Sequence, residues 1–235
     1  MLICKTIATG SSGNSYALMN NNEILLLDLG VNAKVIKKAI DFRISDVVGA
    51  VLSHSHLDHS KAVKDFENMG IPVVSYFDVD EWDDLKLALF HRTLGGFFIR
   101  PFPLPHNGTN NCGFLIEVSS QKILYLTDFE YCKYNFKSLQ VNHILIECNY
   151  QQELVSRDLA NYEHKIRGHA SLETCKSFIA ANKTNALRTV ILCHMGAETT
   201  ITSECLAEIQ KVAGEGVKCV VAATGETVEL SQYPF

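Results

Sequence analysis

The chain has 235 residues, 47% of them hydrophobic and 20% charged, which excludes a disordered tail and leaves ample material for a buried core. Its 21 Lys and Arg against 26 Asp and Glu give a net charge of −5, which excludes coating nucleic acid or anionic membrane through bulk electrostatics. The longest apolar runs, such as 24–27 and 217–223, fall far short of the roughly 18 residues of a membrane helix, and the start MLICKTIATGSSGNS lacks the long apolar stretch of a signal peptide.

In chain order, runs with strand character fall at 2–6, 15–19, 23–28, 47–53 and 71–75, with amphipathic helical stretches at 33–40, 60–69 and 80–89. Strands at 97–102, 113–118, 122–127 and 143–147 follow. A helix at 171–182, a strand at 188–193, a helix at 203–213 and strands at 219–222 and 227–230 close the chain. The helix at 203–213 carries apolar residues at 206, 209, 212 and 213 behind Ser203 as its cap. Strands in close succession, then strands alternating with helices, predict an α/β fold of packed sheets with helices outside. Even composition and the lack of a Gly/Ser linker make 1–235 a single domain.

The segments 24–28 (ILLLD) and 123–128 (ILYLTD) echo each other, each an apolar strand that delivers an acid at its end, where α/β proteins place chemistry. The eight cysteines are scattered, no two closer than twelve positions and none in a CxxC pair. They read as small core residues of a reducing compartment, hence a cytoplasmic protein.

The chemistry concentrates in VLSHSHLDH at 51–59, where an apolar strand runs into a turn and then a helix. His54 and His56 point to one side of extended backbone, and the turn can swing Asp58 and His59 toward a second point nearby, so the segment can serve two metals. Imidazole and carboxylate ligands without thiolate favour zinc, with manganese or iron as alternatives. Taken singly, His106 reads as a loop histidine, Asp128 as a turn residue and His194 as a core histidine.

The pattern His-x-His-x-Asp-His resembles the hallmark of the metallo-β-lactamase superfamily, and the resemblance continues in order through Asp28, His106, Asp128 and His194. It implies a four-layer αββα sandwich binding two divalent metal ions. His54, His56 and His106 would hold the first, Asp58, His59 and His194 the second, and Asp128 would bridge them, with Asp28 orienting the histidine loop. His91, His143 and His164 match nothing in that pattern.

Three further segments are similar to the YycJ/WalJ group of small nucleases and, more distantly, to RNase Z: the TGSSGNS loop at 9–15, the IECNY strand end at 146–150 and the Gly-His-x-Ser turn at 168–171. The turn reads GHASL where that group is expected to have GHLSN, and the 65 positions between Asp128 and His194 leave no room for a β-CASP insertion. The likeness implies a phosphodiesterase or nuclease cleaving DNA or RNA by a metal-bridged hydroxide. Asp58 would orient or deprotonate the nucleophile, and His169, supported by Glu147, would donate to the phosphoryl or leaving oxygen. Arg157, Lys165 and Arg167 offer phosphate contacts, the amides of the Gly/Ser loop could approach an anion, and Tyr150 or Tyr162 could stack a base. A same-fold hydrolase of a lactone, thioester or other small ester is the alternative, in which loss of His169 would matter little.

Overall fold

The computed structural model describes residues 1–75, 91–158 and 162–230. The first sheet has the order β13 (Thr227–Glu229), β1 (Leu2–Ala8), β2 (Ser15–Asn20), β3 (Glu23–Leu27), β4 (Val47–Leu52), β5 (Val73–Ser75). The second runs β12 (Lys218–Val221), β11 (Thr189–Cys193), β10 (His143–Glu147), β9 (Gln121–Leu126), β8 (Thr109–Val118), β7 (Phe97–His106), β6 (Arg92–Leu94). Each sheet is antiparallel on one side and parallel on the other, and the pivots are β3 and β9. These are the two strands whose sequences echo each other. Just past them the chain leaves the sheet for a crossover, and Asp28 and Asp128 sit there with left-handed backbone, φ 55° and 52°.

The pivot strands are apolar on both faces because alternate residues enter different layers. Leu25 and Leu27 of β3 meet Tyr125 of β9, Leu145 of β10 and Ile191 of β11 between the sheets. Ile24 and Leu26 face the other way, onto α1 (Ala33–Ala39) and α3 (Val63–Asn68) through Ile36 and Phe66. Leu124, Ile144 and Leu192 pack on the outer side of the second sheet, against Phe178 and Ile209 of the two long helices 172–182 and 202–213. The result is the expected four-layer αββα sandwich.

The helix expected at 60–69 is two pieces, α2 (Leu57–Ser60) and α3, separated at Ala62, whose φ −102° and ψ 9° leave the helical region. The short helix α4 (Tyr162–Gly168) and the strand β6 are additions; the helices that follow are α5 (Leu172–Asn182) and α6 (Thr202–Ala213). Ser171 caps α5 by accepting from the Thr174 amide at 3.0 Å. Ser203, expected to cap the last helix, lies inside α6, which starts after Ile201. The helix expected at 80–89 falls outside the described residues.

Strand β7 extends past the expected 102 to His106, through Pro101, Pro103 and Pro105. Among the described residues only 92–94 of β6 pair along this edge of β7, with no strand beside it beyond Ile99. Prolines at every second position leave their missing N–H groups on one side, which an open edge tolerates. Asn107 and Gly108, with φ 44° and 80°, then make a two-residue turn into β8. His106 is therefore the last ladder residue of a rigid hairpin, opposite Thr109, rather than a loop histidine.

Candidate metal centre

The histidine loop leaves β4 at Ser53 and re-enters helix at Leu57, with His56 as the residue before α2. Its inner side is held by Asp28, which is fully buried. Oδ1 accepts from the Ser53 amide at 2.7 Å, while Oδ2 accepts from the Ser53 hydroxyl at 2.9 Å, the Tyr125 hydroxyl at 2.6 Å and the His59 Nδ1–H at 2.8 Å. Its outer side is held by backbone. The Asn14 amide donates to Asp58 O and the Leu29 amide to His59 O, both at 2.7 Å. A Cβ on Gly30 would sit 1.7 Å from Asp58 O, so only glycine lets these segments meet.

The TGSSGNS loop is thus a strut of the histidine loop. Its Gly10 and Gly13 amides are bonded within the loop, and the Asn14 side chain bridges Gly10 and lies 3.1 Å from His59 Nε2. Those three amides do not face an anion; Ser11 lines the cleft instead.

Three histidines have their proton placed by such partners. His59 gives its Nδ1 proton to Asp28, and His106 gives its own to Gly168 O at 2.6 Å. The Ser53 hydroxyl, already donating to Asp28, accepts from His54 Nδ1 at 3.0 Å. Each of the three thereby turns its Nε2 toward Asp128. His56 Nδ1 lies 3.0 Å from His54 Nε2 and 3.2 Å from His106 Nε2.

The carboxylate of Asp128 faces both groups: Oδ2 is 3.6 Å from His54 Nε2, 3.8 Å from His106 Nε2 and 3.4 Å from His59 Nε2. Its Oδ1 lies 2.6 Å from Nδ1 of His194, whose backbone is also left-handed at φ 47°. That Nδ1 is buried and has no aligned hydrogen bond although two carboxylates surround it, as expected of a ligand atom. Donor atoms of His54, His56, His106 and Asp128 lie within 4.8 Å of one another, as do those of Asp58, His59, Asp128 and His194. Nitrogen lone pairs converging on carboxylate oxygens, without thiolates, fit divalent cations, with Asp128 common to both groups.

The buried carboxylates favour positive charge on this side of the site, raising His59 well above its ordinary range despite burial. Burial and the neighbouring His59 hold His54 well below its ordinary range. Burial opposes a charge on His194, but Asp128 and Glu147 outweigh it and push the ring up to about 10. Burial likewise opposes ionisation of Asp128 and Asp58, yet His194 and His59 keep the first well below the usual carboxylate range, and His59 lowers the second.

Glu147 ends β10 fully buried. Its Oε2 accepts from the Phe129 and Ala170 amides, both at 3.1 Å, and its Oε1 accepts from His169 Nδ1 at 2.6 Å. Oε1 also lies 2.9 Å from His194 Nδ1, so the dyad abuts the metal-capable cluster. A cavity of about 490 Å³ is lined by His56, Asp58, His106, Asp128, His169 and His194 together.

Two residues on α4 line this cavity: Lys165, expected to contact phosphate, and His164, which matched nothing in the sequence pattern. His164 bonds Asn107 at 2.9 Å. Lys165 donates to Asn149 Oδ1 at 2.8 Å and Thr199 Oγ1 at 3.1 Å. Tyr150, expected to stack a base, is instead 6% exposed and bridged to Ser171, so its ring is not available. Arg167 lies away from this cavity, in a neighbouring groove. Among the described residues no helix is long and apolar enough to cross a membrane.

Residues 8–81 match the family described as the metallo-beta-lactamase superfamily. The chain is 20% identical over 234 residues to the exodeoxyribonuclease YycJ of Bacillus anthracis, covering 89% of this chain and 88% of that protein. Two solved structures share the fold. The metallo-beta-lactamase fold protein YhfI from Bacillus subtilis has a TM-score of 0.73 at 17% identity, over 97% of this chain and 98% of that one. The short form of human tRNase Z has a TM-score of 0.64 at 11% identity, over 97% and 99%.

Proposed function

From a chain with the metallo-β-lactamase fold and His/Asp clusters able to bind metal ions, we propose a two-metal phosphodiesterase that cleaves DNA or RNA. The observation that carries this reading is the Glu147–His169 pair at 2.6 Å, set against the cluster and lining the same cavity. A departing sugar alkoxide takes up a proton, which this acid beside the cluster is placed to supply, whereas a thiolate leaves without one. The similarity to an exodeoxyribonuclease supports the same direction.

In this reading His54, His56 and His106 would hold one cation, Asp58, His59 and His194 the other, with Asp128 serving both. Zinc suits these ligands, and manganese or iron also fits. When bound there, such cations would supply Lewis acidity, making water more acidic and offsetting charge on the phosphoryl oxygens. Asp58, ionised and about 29% exposed at the cavity wall, orients the attacking water and accepts its proton. Glu147 fixes the Nδ1 proton of His169, leaving Nε2 to donate to the phosphoryl or leaving oxygen. Lys165 spends two of its three N–H bonds on Asn149 and Thr199 and has one left for a phosphate oxygen. Asp28 sets the ring of His59.

The test is cleavage of end-labelled single-stranded DNA and RNA by protein loaded with Zn²⁺ or Mn²⁺, beside His169→Ala. We expect cleavage by the wild type and a rate reduced by roughly 10²-fold or more in the variant, at unchanged metal content. Wild type that hydrolyses lactones or thioesters but neither nucleic acid would refute the reading.

A further inference from the structure

We propose that the groove beyond the tip of the β7–β8 hairpin is a track for the single strand flanking the scissile phosphate, with Tyr131 as a base platform and Arg167 as a phosphate contact. The inference rests on the phosphodiesterase reading and extends it to a site outside the metal cavity. The groove has a volume of about 520 Å³ and is lined by His106, Thr109, Glu130, Tyr131, Lys133 and Arg167 among others. It is continuous with the metal cavity: His106 lines both, and Thr109 Oγ1 lies 3.4 Å from His56 Nε2. A strand whose phosphate sits at the cluster can therefore run on over the hairpin tip.

Both proposed contacts stand on braced backbone. The Asn107 amide donates to Arg167 O at 3.0 Å, tying α4 to the tip, and the Glu130 amide donates to Pro105 O at 2.9 Å, tying the segment before Tyr131 to β7. Tyr131 is 54% exposed, a large ring turned outward at the edge of a groove. Among the described residues the Arg167 guanidinium has no ion pair or hydrogen bond, so its donors are free for a phosphate. Lys133 and Arg167 against Glu130 make the groove net positive in a chain of charge −5. A π-face for any base and a cation for the backbone, together at one groove, are what sequence-independent single-strand binding uses.

The experiment compares a single-stranded DNA oligonucleotide with a dinucleotide on metal-loaded wild type, Tyr131→Ala, Tyr131→Phe and Arg167→Ala. Wild type should prefer the longer strand. Tyr131→Ala should raise its KM relative to the dinucleotide by roughly 5-fold or more, and Tyr131→Phe should restore it. Arg167→Ala should lower the slope of log KM against log salt by about 1. An active wild type whose length preference and salt slope are unchanged in both alanine variants would overturn the track alone. Alanine variants that lose activity equally on both substrates would also overturn it. Wild type that cleaves neither substrate would overturn the phosphodiesterase reading, and the track with it.

Discussion

Asp28→Asn isolates what one buried carboxylate does for the site. The change keeps shape, and Asn tolerates the left-handed backbone at φ 55°, so added strain is small. What changes is the hydrogen-bond balance, because four donors converge on the two oxygens. The Ser53 amide cannot rotate, so the remaining amide oxygen must face it. The new NH₂ then faces His59, Tyr125 and the Ser53 hydroxyl. Hydroxyls can turn and accept, but His59 can accept at Nδ1 only by moving its proton to Nε2, which removes the lone pair that points at the cluster. Losing bonds to a charged acceptor costs about 2–3 kcal/mol, or roughly 5–10 °C in Tm for a chain of this size. Affinity for the metal at His59 should fall about 10- to 100-fold. Calorimetric titration with Zn²⁺, alongside thermal melts of the metal-free protein, measures both. Two wild-type binding steps in the variant would refute the reasoning.

Gly30→Ala should cost about 3 kcal/mol or more because its Cβ meets Asp58 O, whereas Gly216→Ala, with open space around it, should leave the Tm unchanged; equal melts would contradict the close packing at Gly30. Six of the eight cysteines are buried and all are free, so a thiol reagent should label at most Cys132 and Cys219 in the native protein and eight thiols after unfolding. Burial, then Arg188, pushes His143 down to about 3 from 6.5, so the unfolded ring takes a proton below pH 6.5 that the folded ring refuses until near 3. The associated stability is complete above pH 6.5 and is lost as pH falls toward 3. His143→Gln should show a shallower loss between pH 7.5 and 5 in urea titrations, and an unchanged pH slope would count against it.

The metal cluster was legible because its residues are either contiguous, as at 54–59, or follow apolar strands, as Asp28, Asp128 and His194 do. A strand with two buried faces announces itself by composition, and its end is where the chain turns into the cleft. His106 was legible as a residue but not as part of β7, since three alternate prolines mask a strand that, among the described residues, has no neighbour on one edge beyond Ile99. The role of the TGSSGNS loop was hidden for another reason: it depends on the Asn14 amide meeting Asp58 O, a contact between residues 44 apart in sequence. His164 sits on a seven-residue helix too short to show an amphipathic stripe, so nothing in the pattern marks it, whereas Lys165 was legible as one of the cations flanking the Gly-His turn. Tyr150 misled because an aromatic after a strand end looks exposed, while its bridge to Ser171 buries it.

The central claim, two cations sharing Asp128, is tested most directly by metal stoichiometry after reconstitution and gel filtration. The account predicts two Zn²⁺ per chain for the wild type, one for His56→Ala or His194→Ala, and loss of both for Asp128→Ala, because that carboxylate faces both groups of donors. One ion in the wild type, or a single ion retained at full affinity in Asp128→Ala, would contradict it.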